Sequence, residues 1–280
     1  MQLDPTCDNY GVMGNPIAHS LSPVIHAAFA VQTGQHLRYQ AVLVEPGIFA
    51  QAVQQFRMAG GKGLNVTIPF KEEAWVLSER RSPRAQLAGA VNTLGFEPDG
   101  RVWGDNTDGV GFVRDYVINH QGRIEGRRVL ILGAGGAVRG VLEPILAEHP
   151  AQVVIANRTV ANAVEICSVF QALGALNACG FDGLAGHRFE LIINGTAASL
   201  QGQLPPLPED ILESDGFCYD MMYGHVPTPF VRLGYAHGAD RSVDGLGMLV
   251  EQAAESFYLW RGIRPETASV IAMLRARISH

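Results

Sequence analysis

The stretch Arg127-Arg128-Val129-Leu130-Ile131-Leu132-Gly133-Ala134-Gly135-Gly136-Ala137-Val138 decides the fold. Val129 to Leu132 is apolar without alternation, the pattern of a strand covered on both faces. The glycines that follow mark a turn, and Val138 to Glu148 reads as a helix. Strand, glycine-rich turn and helix, in that order, are the setting of a dinucleotide site. Gly133 permits the tight turn, and Gly135 lets the backbone approach a pyrophosphate. The helix start offers amides and a favourable dipole to phosphates. Ala134, Gly136 and Ala137 complete the run. The match is to G-x-G-G-A and not to the full G-x-G-x-x-G, because the sixth position is Val138, so a turn that only serves packing is the competing reading.

Downstream, Val153 to Ala156 reads as a strand, Val160 to Leu173 as a helix, Leu191 to Asn194 and Phe217 to Met222 as strands, with a Pro-rich loop over Gln201 to Pro208. Apolar strands joined by helices indicate an α/β protein with a parallel sheet. The second strand ends in Asn157-Arg158-Thr159, and no acid follows until Glu165. NAD sites place Asp or Glu here to bond the ribose 2′-hydroxyl. Arg158 instead suits a 2′-phosphate, and Asn157 and Thr159 add donors, which favours NADP. The plainer reading is an exposed Arg before a helix that Thr159 caps.

Upstream the pattern differs. Ser22-Pro23 opens a helix that ends near Gly34, with Ser22 as a cap and Pro23 in the first turn. Leu37 to Val44 reads as a strand, Gly47 to Met58 as a helix, and Leu64 to Ile68 as a short strand that Pro69 interrupts. A helix starts at Lys71, and Ala90 to Phe96 with Arg101 to Gly104 reads as a hairpin around Pro98-Asp99-Gly100. The character changes near Asp108. Late in the chain Asp244 caps a helix running to Arg261, with Leu246, Leu249, Val250, Ala253, Phe257 and Trp260 at helical spacing.

With 280 residues the chain can hold two modest domains. Apolar residues are 47% and charged residues 17%, the balance of a soluble globular protein. The net charge of −6 favours neither a nucleic-acid nor an anionic-membrane partner. No basic and apolar leader stands at the start, and no run reaches a membrane span. The four cysteines are scattered without a C-x-x-C pair, so reduced thiols in a cytoplasmic protein, and no metal site, are expected.

Several polar clusters exceed what a core needs. Ser20 and Ser22 place two hydroxyls at a helix start, where they suit a carboxylate, although Ser22 can equally be a plain cap. Asn65 and Thr67 fall two residues apart on one strand face. Lys71 follows at the next turn beside Glu72 and Glu73, a sequence that also fits a solvated helix start. Asn92 sits in an apolar setting, and Asp108 either caps a helix over Gly109 to Val117 or faces a ligand. Hydride transfer from an alcohol needs a group that takes the hydroxyl proton, and a lysine oriented by an aspartate is one solution.

These motifs, in this order, resemble the shikimate dehydrogenase family over nearly the whole chain. The resemblance rests on Gly14-Asn15-Pro16-Ile17-Ala18-His19-Ser20, Gly63-Leu64-Asn65-Val66-Thr67-Ile68-Pro69-Phe70-Lys71, Ala88-Gly89-Ala90-Val91-Asn92-Thr93 and Gly104-Asp105-Asn106-Thr107-Asp108-Gly109. It continues through the glycine run, Asn157-Arg158-Thr159, Tyr219-Asp220-Met221 and Asp244-Gly245-Leu246-Gly247-Met248. The resemblance implies an N-terminal α/β substrate domain of residues 1–108 with 246–280, a Rossmann-type NADP-binding domain of residues 109–245, and C-terminal helices returning to the substrate domain. The cleft between the domains would be the active site.

It implies that Lys71 transfers the proton, paired with Asp108. Ser20 and Ser22 would hold a carboxylate, and Asn65, Thr67, Asn92, Asp108, Tyr223 and Gln252 would bond the substrate. Met221 and Gly245 would lie near the nicotinamide. The implied activity is reversible NADP-dependent oxidation of shikimate by a monomer or homodimer. The alternatives are a paralogue acting on quinate or aminoshikimate, and a non-catalytic NADP sensor. Three departures stand out: Asn162 where the family usually has a second Arg, Val138 where it has Ser, and Asn194-Gly195-Thr196-Ala197-Ala198-Ser199 where it has Asn-Ala-Thr-Ser-Ser-Gly.

Overall fold

The computed structural model describes residues 3–196 and 204–278. Ala197, Ala198 and Ser199, part of the third departure, lie outside the described residues. The chain divides into two compact units: residues up to Gly111 with Val250–Val270, and Phe112–Leu249 with the stretch from Ile271.

The first unit holds a six-stranded sheet. Its strands are β1 (Asp8–Gly14), β2 (Leu37–Leu43), β3 (Gly61–Val66), β4 (Arg80–Arg81), β5 (Thr93–Phe96) and β6 (Val102–Asp105), in the order β2-β1-β3-β5-β6-β4. β1 pairs parallel with β2 and β3, and the β5–β6 hairpin adds antiparallel to β3. The connecting helices are α1 (Ser22–Thr33), α2 (Phe49–Met58), α3 (Lys71–Leu77) and α4 (Pro83–Ala88); α5 (Asp108–Arg114) begins in this unit, belongs to the second from Phe112, and continues into a π-helical turn over Asp115–Asn119. One face of the sheet buries Met13, Val53, Phe56, Leu64, Val66, Phe70 and Leu94.

The central strand β1 was not legible, because Asp8, Asn9, Gly11 and Gly14 have low strand propensity. Pairing on both sides overrides that propensity. Gly11 is required by closeness: a Cβ there would stand 2.8 Å from the Gln40 carbonyl oxygen of β2. The expected Ser22 cap is a correction. Leu21 occupies the cap position, α1 starts at Ser22, and no side chain caps it. The strand expected to reach Ile68 ends at Val66, and the hairpin begins only at Thr93, since Val91 and Asn92 bond instead to the Lys71 and Asp105 carbonyls.

The second unit is built on β7 (Arg128–Leu132), α6 (Gly136–Ala147), β8 (Gln152–Ala156), α7 (Val160–Phe170), β9 (Leu176–Cys179), β10 (Phe189–Asn194), β11 (Leu212–Asp220), α8 (Pro229–Ala236) and β12 (Arg241–Asp244). All pairings in this sheet are parallel, in the order β12-β11-β10-β7-β8-β9. The order reverses between β7 and β10, which makes their carboxyl ends the topological switch point where such sheets bind nucleotides. β7 is wholly buried from Val129 to Leu132, as its unalternating sequence requires.

Two last helices follow, α9 (Leu246–Arg261) and α10 (Ala268–Ile278). The expectation gave all of residues 246–280 to the substrate domain. The division is finer: from Ile271 the chain belongs to the second unit, where Arg275 donates to Asp244 at 2.7 Å and the His225 ring meets the Ile278 carbonyl at 2.6 Å. Among the described residues no helix is long and apolar enough to cross a membrane.

His26 of α1 carries a consequence for stability. It is buried beneath Tyr39, ring centroids 4.1 Å apart and nearly parallel, with Phe29, Phe257 and Trp260 around it. Its Nε2 has no hydrogen-bond partner. Burial pushes its pKa from 6.5 down to about 3, against a smaller opposing contribution from Asn65. The folded state therefore stays unprotonated where the unfolded chain takes up a proton, so this residue lowers stability as pH falls from 6.5 towards 3. By pH 5 the loss is about 2 kcal/mol. His26→Phe is expected to lose correspondingly less stability between pH 7 and pH 5 in urea unfolding. An identical pH dependence in both proteins would contradict this.

Candidate active site

Lys71 is the first residue of α3, and Asp108 is the first of α5. Their side chains meet, with Lys71 Nζ 2.5 Å from Asp108 Oδ2. Lys71 is 28% exposed and Asp108 13%, so the pair is seated in the protein yet open to a ligand. The other carboxylate oxygen, Oδ1, accepts from Asn92 Nδ2 at 2.7 Å. The Asp108 carboxylate thus pairs with both Lys71 and Asn92.

Asn92 is fully engaged. Its amide protons go to Asp108 and to the Thr107 hydroxyl at 3.0 Å, and its Oδ1 accepts from the Thr93 hydroxyl and the Thr107 N–H, both at 2.9 Å. An amide offers two donors and two acceptor sites, so a substrate hydroxyl reaches Asn92 only by displacing one of these partners. Asn65 is similar. Its Nδ2 faces the Asn92 carbonyl, the Thr93 hydroxyl and the Ser256 hydroxyl at 3.0–3.1 Å, and its Oδ1 accepts from the Tyr39 hydroxyl at 2.7 Å. Since a carbonyl can only accept, the bond to Asn92 settles which way the Asn65 amide points.

Tyr39, Thr93, Thr107 and Ser256 form a buried layer behind the two asparagines that the sequence reading did not assign. Burial raises the Tyr39 phenol well above its usual pKa, so it stays a donor. One signal was available: Gln252 and Ser256 lie four apart on α9, hence on one helix face. In the structure the Ser256 hydroxyl donates to the Gln252 carbonyl, and the Thr107 hydroxyl approaches Gln252 Oε1 at 3.5 Å. Behind the loop, Arg84 binds Asp105 through both Nε and Nη2, at 2.8 and 2.9 Å, and reaches Glu255 of α9 at 3.1 Å. That clamp fixes the segment from Asp105 to Asp108.

Ser20 and Ser22 come together at the start of α1, where the Ser22 N–H donates to the Ser20 hydroxyl at 3.3 Å. With no side chain capping α1, this helix start remains available to an anion. Thr67 stands just past β3, half-buried, with its methyl against Gly14. Tyr223 belongs to the second unit, beyond β11, and burial raises its phenol, with Asp244 adding to the shift.

In the second unit Gly133 has φ 101°, a conformation that favours glycine, and a Cβ there would stand 3.0 Å from the Thr196 methyl. A Cβ on Gly135 or Gly136 would meet nothing within 4 Å. The space over the start of α6 is open, and no side chain caps that helix. A pyrophosphate fits such a site, with Ala134 and Ala137 beside it. At the end of β8 the Asn157 amide donates to the Thr159 carbonyl at 2.9 Å, folding the loop around an exposed Arg158. Thr159 holds the cap position of α7, yet its hydroxyl makes no cap bond, so it is free to face a phosphate. The one acid nearby on α7, Glu165, pairs with Arg139. Gly245 and Met221 touch: a Cβ on Gly245 would stand 2.4 Å from the Met221 carbonyl oxygen.

Profiles of known families match along the chain. Residues 12–94 match the shikimate dehydrogenase substrate binding domain, 117–201 match shikimate / quinate 5-dehydrogenase, and 245–275 match the shikimate 5′-dehydrogenase C-terminal domain. Shikimate dehydrogenase (NADP(+)) of Alkalilimnicola ehrlichii is 61% identical over 268 residues, 96% of this chain and 98% of the relative. The protein of that name from Nitrosococcus oceani is 58% identical over 268 residues, 96% of this chain and 95% of the relative. The crystal structure of shikimate 5-dehydrogenase from Thermus thermophilus in complex with NADP(H) and shikimate has a TM-score of 0.83 at 30% identity, covering 97% of this chain and 99% of that one.

Proposed function

Because the chain belongs to the shikimate dehydrogenase family, we propose that it catalyses the reversible NADP-dependent oxidation of shikimate to 3-dehydroshikimate. The observation that carries this reading is the Lys71–Asp108 pair at 2.5 Å, braced by Asn92 in a bed of buried hydroxyls. NADP, when bound, supplies the hydride acceptor. Gly133, Ala134, Gly135, Gly136 and Ala137 would hold its pyrophosphate, Asn157, Arg158 and Thr159 its 2′-phosphate, and Met221 with Gly245 would face its nicotinamide.

Ser20 and Ser22 anchor the substrate carboxylate, with the start of α1 adding its dipole. Asn65 Oδ1, already fixed by Tyr39, accepts from a ring hydroxyl, Thr67, Gln252 and Tyr223 complete the set, and Asn92 joins it only by giving up one of its present partners. Lys71 takes the proton of the reacting hydroxyl as the carbinol carbon loses hydride, and returns it in the reverse direction. Asp108 keeps Nζ directed. Four cysteines without disulfides among the described residues suit a reducing compartment, so the enzyme is assigned to the cytoplasm.

Initial rates with shikimate and quinate, each with NADP and with NAD, test this directly. Turnover of shikimate with NADP well above the other pairs is expected, and a preference for quinate or NAD would overturn the reading. Arg158→Ala is expected to raise the KM for NADP by about 10- to 100-fold, the worth of a charge-assisted hydrogen-bond pair, with little change for NAD. An equal rise for both cofactors would remove Arg158 from 2′-phosphate recognition.

A further inference from the structure

Asp220, the last residue of β11, is wholly buried. Its Oδ1 accepts from Asn194 Nδ2 at 2.9 Å and from the Met222 N–H at 3.1 Å, and its Oδ2 accepts from the Thr228 hydroxyl at 2.6 Å. The three donors come from three segments: the end of β10, the corner after β11, and the residue that caps α8. Asn194 extends the link. Its Oδ1 accepts from the Thr196 N–H and hydroxyl at 3.1 and 2.7 Å, and the Thr196 methyl lies against Gly133.

Backbone bonds run alongside. The Gly195 N–H donates to the Leu132 carbonyl at 2.9 Å, the Met221 N–H to the Asn194 carbonyl at 2.9 Å, and the Gly245 N–H to the Met222 carbonyl at 3.0 Å. Gly195 is wedged between the two sides: a Cβ there would stand 2.5 Å from a Val138 methyl and 3.4 Å from Met221 Sδ. The glycine-rich turn and the Met221–Gly245 corner are therefore joined through one buried polar hub. Burying a carboxylate costs desolvation, and an apolar residue at the end of a covered strand would avoid that cost.

We propose that Asp220 is a positioning residue for the dinucleotide, setting the Met221–Gly245 corner at a defined spacing from the Gly133–Gly135 turn. This rests on the reading of the second unit as an NADP site. Asp220 itself is wholly buried. Its effect passes through Asn194, Met222 and Thr228, and falls on ligands that span both the turn and the corner.

The test uses two nucleotides on the full-length protein. NADPH spans both elements, whereas adenosine 2′,5′-bisphosphate has no nicotinamide and engages only the β8 end and the turn. Asp220→Asn keeps the shape but removes the charge that strengthens the bonds from Asn194, Met222 and Thr228, and its new amide nitrogen turns the Thr228 hydroxyl from donor to acceptor. Titration followed by NADPH fluorescence is expected to show a Kd raised about tenfold, the effect of losing charge assistance in a buried cluster. The Kd for adenosine 2′,5′-bisphosphate, by calorimetry, is expected to stay within about twofold.

Equal losses for both nucleotides would mean a merely structural role and overturn the proposal, as would an unchanged NADPH Kd. If Asp220→Asn does not fold, Thr228→Val removes one donor to Asp220 together with the cap bond of α8; about a threefold selective loss of NADPH supports the proposal, and no selective loss overturns it. Wild-type protein that binds neither nucleotide would overturn the NADP reading and the positioning role together. Binding of both by the wild type, with no selectivity in the variants, overturns the role of Asp220 alone.

Discussion

Lys71→Ala is expected to lower kcat for shikimate oxidation by about 100- to 10,000-fold, the usual range for loss of a positioned acid–base group. Lys71 Nζ is the basic atom paired with Asp108, and Asn92 has no unspent donor or acceptor to take its place. The NADPH Kd should stay within about twofold, because none of the residues assigned to the cofactor belongs to the first unit. Added methylamine is expected to recover part of the lost rate by acting as a free base. Near-normal kcat, or a tenfold loss of NADPH affinity with kcat preserved, would remove Lys71 from proton transfer.

Gly245→Ala is expected to destabilise the protein and weaken cofactor binding at once. The new Cβ would stand 2.4 Å from the Met221 carbonyl oxygen, 2.8 Å from its carbon and 3.1 Å from the Asp220 carbonyl oxygen. These are backbone atoms, and the Gly245 N–H is itself bonded to the Met222 carbonyl, so neither side yields cheaply. Overpacking of this kind costs about 2–3 kcal/mol, which lowers Tm by roughly 5–10 °C in a chain of this size. The KM for NADP should rise with it. Gly135→Ala is the matched control: its Cβ meets open space, so Tm should hold while NADP affinity falls. An unchanged Tm in Gly245→Ala would show that the corner is looser than its contacts indicate.

Both variants probe positions whose importance the sequence states unequally. Gly135 is marked by local sequence, because strand, glycine turn and helix form the setting of a dinucleotide site. Gly245 was assigned only through resemblance, since its need for a missing side chain arises from Met221, a residue more than twenty positions away. The same contrast runs through the substrate residues. Lys71, Asn92 and Asp108 stand in short motifs, and in isolation a solvated helix start is the stronger reading of Lys71 and a plain cap the stronger reading of Asp108. Folding adds the 2.5 Å pair and the Asn92 bridge, which the motifs do not state.

The sequence by itself determined the parallel nucleotide sheet, the glycine turn at its first strand and the basic loop at the end of its second. These depend on local properties: unalternating apolar runs, backbone freedom at glycine and the absence of an acid before Glu165. Tertiary structure decided the rest. β1, poor in strand-forming residues, exists because β2 and β3 pair with it on both sides. Leu21 displaces Ser22 as the cap of α1, and the stretch from Ile271 groups with the second unit. Tyr39, Thr93, Thr107, Ser256 and Asp220 gain their roles from partners brought close by folding. A buried polar side chain is defined by what completes its hydrogen bonds, and that information lies in the pairing of distant segments.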